Sequence, residues 1–539
     1  MKLTEKRIIA VILAAVLSAS VFSACSKNKN EASDKLSAES LKTAEYPLKT
    51  DETLSLWMRH HVGAAPANRP DYSKFPRMEE LYKQTGVKLE ISYADNGRED
   101  EQFNTLMASG NLPDMIYYDW QHITGGADVA IRSNYITALN DLIKDYCPNY
   151  SKILESDPVY AKMARTDSGN YYMFNGYQRT EKLRENDAER SASCGYTLRK
   201  DWLDELGMQP PETIDEWYAV LKAMKEKKNI SAPLTLNFSD EYAYQDLIGA
   251  YDTSSGFYQE NGKVVYGRIQ PQYKAFLEEM HKWYAEGLLD EQVMSNSDER
   301  VAEKMINGTA AASFTWIGAG IGRWIDAGKV LDDSYDLIGV KPPTLKKGDT
   351  SRFGNYFLPF PHIGIAISAE SDKKELAAKF LDYGYSENGA IMYNYGTEGE
   401  SYEIKDGQPV YKEPENGMNH SDFLTIYTFS TGNWPYKVLT MQNDYFYTLP
   451  QQFQAVEAYK QTDYSNRILP PISHTLDESE EVSRLERIIN NYADEMMKKF
   501  ILGKEPLENF NSYIETMNSL GINRLTELKQ NALDRYNRR

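Results

Sequence analysis

The chain is poor in cysteine. Only Cys25, Cys147 and Cys194 stand among 539 residues, too few for a disulfide framework to hold a fold of this size. Its seven histidines show no zinc-type spacing. His60 and His61 are adjacent, so on extended chain they face opposite ways and chelate one metal poorly. No Gly-rich phosphate loop, nucleophile elbow or internal repeat is visible. A basic surplus is lacking too. Lys and Arg number 60 against 79 Asp and Glu, a net charge of −19, which argues against nucleic acid as a partner.

The length points to two domains rather than one core. The 39 tyrosines and 8 tryptophans are mostly packing residues. Such an excess of amphipathic rings still favours a wet, aromatic-lined site over a metal or phosphate site.

At the amino terminus, Lys2, Lys6 and Arg7 precede the apolar run 8–22. That is the pattern of a signal peptide, short for a comfortable membrane span. Phe22-Ser23-Ala24-Cys25 resembles a bacterial lipobox, with Phe22 where Leu is usual. The resemblance implies cleavage after residue 24, a lipid on Cys25 and a position on the outer face of the cell membrane. Residues 26–50 are polar and lack periodicity, which predicts a flexible tether.

Alternation predicts strands at 53–59, 87–93 and 114–118, with helices at 78–85 and 100–108 between them. Strand, helix, strand, helix, strand is the grammar of a parallel sheet. Ligands in such sheets sit beyond the carboxyl ends of the strands. Arg59, His60, Asp119, Trp120 and His122 stand at those ends. Trp57 lies within its strand and reads as core. Trp120 lies past a strand end and reads as site.

Residues 169–176, GNYYMFNG, read as a short strand pair, and 180–193 as a charged loop. Cys194–Lys225 then reads as strand, short helix, turn and long helix, with Gly207 as a left-handed cap and Thr213 with Glu216 as a capping box. Ile214, Trp217, Leu221 and Met224 mark one helix face. A strand over 232–237 ends at Asn237, and the strand 308–317 carries Trp316 at its end, ahead of Gly318 and Gly320. A strand over 360–368 and helices over 372–384, 479–502 and either side of Gly521 complete the pattern.

The run YTLRKDWLDELGM…PPETIDEWYAVLKAMK resembles the second-lobe entry of lipoprotein solute-binding proteins of carbohydrate ABC importers, the family of the alginate- and maltose-binding proteins. Ala108-Ser-Gly-Asn-Leu-Pro-Asp114, HKWYAEGLLDEQ at 281–292, and YSENG…NYGTEG at 385–399 match recurrent blocks of the same family. The likeness covers nearly all of the chain after the tether. It implies an α/β fold of two lobes with a hinge and an interlobe cleft. It divides the chain into a signal peptide at 1–24, a tether at 25–50, a first lobe from 51–168 with 360–465, and a second from 169–359 with 466–539. Cys147 and Cys194 would then lie in different lobes, where a bridge would oppose hinge motion; an unbridged pair is expected.

The same resemblance implies an oligosaccharide as ligand, permease subunits of an ABC transporter as partners, a monomer, no cofactor and no catalysis. In the maltose-binding branch a tryptophan at the place of Trp316 stacks on sugar. Arg199 joins Arg59, His60 and His122 as a residue able to meet a sugar's hydroxyls or carboxylates. Tyr395 and Glu398, in the last motif, read equally as a turn scaffold or as ligand contacts. Relatives carry a calcium loop after the helix that corresponds to 214–225. Here only Glu226-Lys227-Lys228-Asn229 follows. Calcium needs six or more oxygen ligands, so none is expected there. A binding protein for another polar solute, such as a peptide, remains an alternative. A glycan-active enzyme is another, since two positioned carboxylates would serve and 79 acidic residues leave every pair open.

Overall fold

The computed structural model describes residues 36–59, 72–95, 97–120, 123, 125–178, 192–355, 360–415, 418, 420–430, 434–439, 445, 447–464 and 467–539. Two four-stranded sheets organise them. In the first lobe, β1 (Thr53–Met58), β2 (Lys88–Tyr93) and β3 (Met115–Asp119) run parallel. A late segment, Ile363–Ile367, enters antiparallel beside β3, giving the order late strand, β3, β1, β2. Leu54, Leu56, Ile116 and Ile365 fill the core between this sheet and its helices. Helices Pro76–Thr85 and Glu99–Ser109 are the crossovers that parallel pairing requires.

The second lobe uses β4 (Cys194–Arg199), β5 (Ala232–Thr235), β8 (Ala310–Trp316) and β9 (Leu337–Gly339), in the order β5-β8-β4-β9. Between β5 and β8 in sequence lies the hairpin β6 (Phe257–Glu260) and β7 (Lys263–Tyr266). The late first-lobe strand is therefore β10, and a second hairpin pairs β11 (Tyr402–Lys405) with β12 (Gln408–Tyr411). β5 and β8 are parallel, whereas β4 is antiparallel to β8 and β9. The helix Ile214–Lys228 starts at the expected capping box. It buries Ile214, Trp217, Leu221 and Met224 against the sheet. Helices Leu476–Ile501, Phe510–Leu520 and Ile522–Arg538 close the same core with Ile489, Met497 and Leu525.

The cores redraw the expected boundaries at three places. Tyr172, Met173 and Phe174 pack in the first lobe rather than opening the second. The segment 169–176 makes only isolated bridges, Arg165 with Tyr171 and Phe174 with Ile365, because it lies along β10 instead of folding on itself. Tyr447, Ala455 and Tyr459 pack in the second lobe rather than the first. Tyr459 donates from its hydroxyl to the Tyr196 carbonyl at 2.9 Å, and its ring fills the space beside β4 that Gly195 leaves open. Residues 36–50 are no tether: Ala38–Thr43 forms a helix, and Leu41 and Leu48 are buried in the first-lobe core. Cys147 and Cys194 are buried in separate lobes, both as free thiols.

One buried ion pair holds the carboxyl end of β5. Asp290 Oδ2 accepts from Lys304 Nζ at 2.6 Å, Thr235 Oγ1 at 2.7 Å and Asn296 Nδ2 at 2.9 Å. Lys304 also donates to Gln292 Oε1 and Asn296 Oδ1, both at 3.1 Å. Burial alone would raise the Asp290 carboxyl, but Lys304 and the other donors hold it below its usual range. A carboxylate depressed on folding contributes stability at neutral pH, and that contribution is lost as pH falls through its folded value. Lys304→Met should therefore cost about 3–5 kcal/mol at pH 7 by stranding a buried charge. The deficit should shrink toward pH 3, because the carboxyl that the substitution strands takes a proton as pH falls. Urea unfolding at the two pH values checks this; an equal deficit at both would mean that the lysine contributes packing alone.

Candidate functional site

A cleft of about 570 Å³ lies between the lobes, within the range of small-molecule sites. The strand directions explain its place. β1 and β3 are parallel, so their carboxyl ends share a rim, and antiparallel β10 begins there. His362 thus stands beside Asp119, with Nδ1 2.5 Å from Oδ2. After β3 the chain turns at Gly125 and Gly126, with φ of +86° and +66°. A side chain at Gly125 would meet Val129 at 2.5 Å, so this turn requires glycine. The second lobe supplies Glu241, Phe257, the segment 469–474 and one face of helix Leu476–Ile501. Another depression, of about 340 Å³, lies between Phe75, Tyr82 and β2. It draws on the first lobe alone.

The structure separates the expected site residues. Asp119 stands at the rim, beside His362. Arg59 stands at the end of β1, where its charge acts on the Tyr118 hydroxyl. Trp120 borders the cleft as buried floor, which corrects the expectation of an exposed platform. Its ring packs edge-on against Phe103 and Tyr118, and its indole N–H donates to the Gly364 carbonyl at 3.2 Å. Arg199 is a second correction. β4 runs antiparallel to β8, so Cys194 faces Trp316 and Arg199 lies at the opposite end of the sheet. There its guanidinium is buried between Trp202 and Tyr335, 4.0 and 4.2 Å from the ring centres, and chelates Asp201.

Trp316 keeps 38% of its surface exposed at the end of β8. Tyr242 meets it edge-on at 5.9 Å and follows Glu241 of the cleft. Asn237 lies past the end of β5 on the same side, donating to Asp298 at 2.9 Å. Tyr395 packs against Tyr402 and Tyr411 and Glu398 is exposed in the turn before β11. Neither lines the interlobe cleft. His60, His122 and Cys25 lie outside the described residues.

Other cleft residues carry no motif. His474 precedes the helix Leu476–Ile501 and lines the cleft. Burial, reinforced by the Lys529 ammonium, pushes its imidazole down to about 4, so it is neutral at physiological pH. Its Nδ1 is buried, 3.9 Å from Glu478 and without a hydrogen-bond partner among the described residues. Lys529 pairs with Glu486 at 2.7 Å and lies 5.1 Å over Phe257. Helical periodicity marks such residues only as a polar face. Nothing local tells that the face is turned to a cleft.

The family model for bacterial extracellular solute-binding proteins matches residues 67–391, more than half of the chain. The chain belongs to that family. Over its full length the binding protein is similar to the fructooligosaccharide ABC transporter substrate-binding protein FusA of Streptococcus pneumoniae. The identity is 24%, covering 98% of this chain and 97% of FusA. A solved structure of FusA with kestose superposes with a TM-score of 0.72 at 21% identity, over 90% of this chain and 99% of that one. The alginate-binding protein AlgQ2, solved without calcium ion, gives a TM-score of 0.72 at 22% identity, over 91% and 100%. The polygalacturonan/rhamnogalacturonan-binding protein YtcQ of Bacillus subtilis is 26% identical over 60% of this chain and 63% of its own. These solved neighbours are two-domain binding proteins, and the two-lobed α/β fold is theirs.

The residues at the end of helix Ile214–Lys228 do not fit calcium. Lys228 is paired with Glu205, and the Lys225 ammonium donates to the Glu286 carbonyl at 2.5 Å. Ammonium groups engage oxygens where a divalent ion would need several. Among the described residues, no group of three or more His, Cys, Asp or Glu is placed to hold a metal ion.

A charge cluster ties the lobes of the binding protein together beside the cleft. Asp167, in the first lobe, accepts from Arg535 Nε at 2.6 Å and from Arg539 Nη2 at 2.5 Å. Both arginines come from the last second-lobe helix or its end. Arg535 also chelates Glu478 at 2.6 and 3.0 Å. Arg539 donates to Ser473 Oγ at 2.7 Å. Lys162 lies 4.6 Å over the Tyr536 ring. Charge-assisted bonds between largely buried groups are the strong ones. Asp167→Asn should cost about 1–3 kcal/mol and enlarge the ligand-free radius of gyration in small-angle scattering. Unchanged scattering and melting would show that the cluster does not hold the lobes.

Proposed function

We propose that this binding protein captures an oligosaccharide outside the cell and hands it to the permease of an ABC transporter. It acts as a monomer, anchored to the outer face of the membrane by a lipid on Cys25. The observation that carries the reading is the interlobe cleft, with Trp316 exposed at the end of β8 and half-buried Tyr242, next to Glu241 of the lining, edge-on against it. An aromatic face suits the C–H patches of a pyranose or furanose, and the polar groups around it take the hydroxyls. Relatives named for fructooligosaccharide and polygalacturonan support a sugar over a peptide. We infer binding without turnover. Of the cleft carboxylates, Glu486 is held by Lys529 and is poorly placed to work as an acid or base. Closure of two lobes around a ligand is the expected working motion, for which periplasmic binding proteins are a standing example.

Trp316→Ala should weaken oligosaccharide binding by about tenfold to a hundredfold, the loss of one aromatic anchor of ~1–3 kcal/mol. The ligand-free melting temperature should barely move, because the ring is half in solvent. Calorimetry with a panel of neutral and acidic oligosaccharides measures both; wild-type affinity in the variant would remove Trp316 from the site. Cys25→Ser should shift the protein from the membrane fraction to the medium. Unchanged fractionation would rule out the lipid anchor.

A further inference from the structure

We propose that Arg165 reads a carboxylate on the bound sugar, so that the ligand is an acidic oligosaccharide. This rests on the sugar-binding reading above. Arg165 lines the cleft from the first lobe. Its backbone is clamped: the Arg165 carbonyl accepts from Arg539, and Tyr171 pairs with it across an isolated bridge. The side chain is oriented as well. Nε donates to the Ala161 carbonyl at 3.2 Å, and the guanidinium carbon lies 5.8 Å from the Tyr171 ring centre. The terminal nitrogens have no carboxylate partner among the described residues.

The local charge balance says what would complete the site. The charges of the cleft cancel in pairs except at two places. Lys529 is spent on Glu486. Asp167 and Glu478 are spent on Arg535 and Arg539. Three guanidiniums therefore meet two carboxylates, and Arg165 is the one left over. Glu241 is the cleft's other uncommitted charge, but it is exposed and screened by solvent, whereas Arg165 is half-buried. A guanidinium offers a rigid fork that matches a carboxylate with two parallel hydrogen bonds. In a chain of net charge −19, a half-buried guanidinium in the cleft offsets locally the repulsion that an acidic ligand meets.

The test is calorimetry of the wild type, Arg165→Gln and Arg165→Lys with oligogalacturonides and with kestose, at low and high salt. The wild type should bind the oligogalacturonides more tightly than kestose, and less tightly at high salt. Arg165→Gln should weaken oligogalacturonide binding by at least about tenfold and lose most of the salt dependence. Arg165→Lys should restore part of it. All three should melt alike. Preference for kestose, or oligogalacturonide binding that is indifferent to Arg165→Gln, overturns the inference and leaves the sugar-binding reading standing. Binding of neither sugar class by the wild type overturns both.

Discussion

The pairing of β10 with β3 is the constraint on which the rest depends. Ile363–Ile367 lies against Met115–Asp119 although every strand of the second lobe, β4 to β9, intervenes in sequence. Ordering that much chain before the pair forms is entropically costly. The pair is retained because β10 is fully buried and covers an otherwise open edge of β3. Its consequence is topological. The first lobe cannot close until the chain has returned from the second, so the lobes are joined by more than one crossing. A joint with several strands of chain limits twisting while leaving a bend free, and a cleft between the lobes follows.

That cleft is built from residues already balanced against one another. Burying a charge costs several kcal/mol unless it is paired, and most of the charges here are paired within the protein. Glu486 has Lys529 and Asp167 has two arginines, while Asp119 is hydrogen-bonded to His362. A wall of satisfied groups does not bind a polar ligand by charge. What remains for the ligand is the exposed carboxylate of Glu241, the neutral imidazole of His474, and an Arg165 guanidinium without a carboxylate partner among the described residues. Selectivity in such a site comes from the few groups the fold leaves unsatisfied, because only these lose something when the wrong solute enters.

Much of the fold was legible from periodicity. The helix Ile214–Lys228 begins at its capping box and buries the four residues that its spacing marks. The three parallel strands of the first lobe fall within one residue of their alternation. The failures have definite physical causes. Residues 36–50 have a polar composition that reads as tether, yet Leu41 and Leu48, with Tyr46 against Tyr383, dock them on the first lobe. Segment 169–176 has strand-like residues but borrows its partner from β10. Segment 447–464 follows first-lobe chain in sequence and packs on the second lobe through Tyr459 and Ala455. In each case a tertiary contact, invisible locally, decides the outcome.

The candidate site was less legible for a reason of symmetry. Alternation along a strand is the same read in either direction, so it marks which residues are buried but not which end meets the ligand. The direction is set by pairing. β8 runs parallel to β5, which brings Trp316 and Asn237 to one rim. β4 runs against β8, which carries Arg199 away to the far end. Arg199 and Trp316 looked alike as residues at strand ends, and only the hydrogen-bond register separates them. Trp120 fails in another way. It follows β3 at the correct end, but its N–H reaches the Gly364 carbonyl on β10. A strand from the far side of the chain thereby turns a rim residue into floor. The residues at the cleft that no pattern marked, Arg165, Asp167 and His474, come from turns and from the start of a helix. Their neighbours across the cleft are hundreds of positions away, so their roles exist only once both lobes are in place.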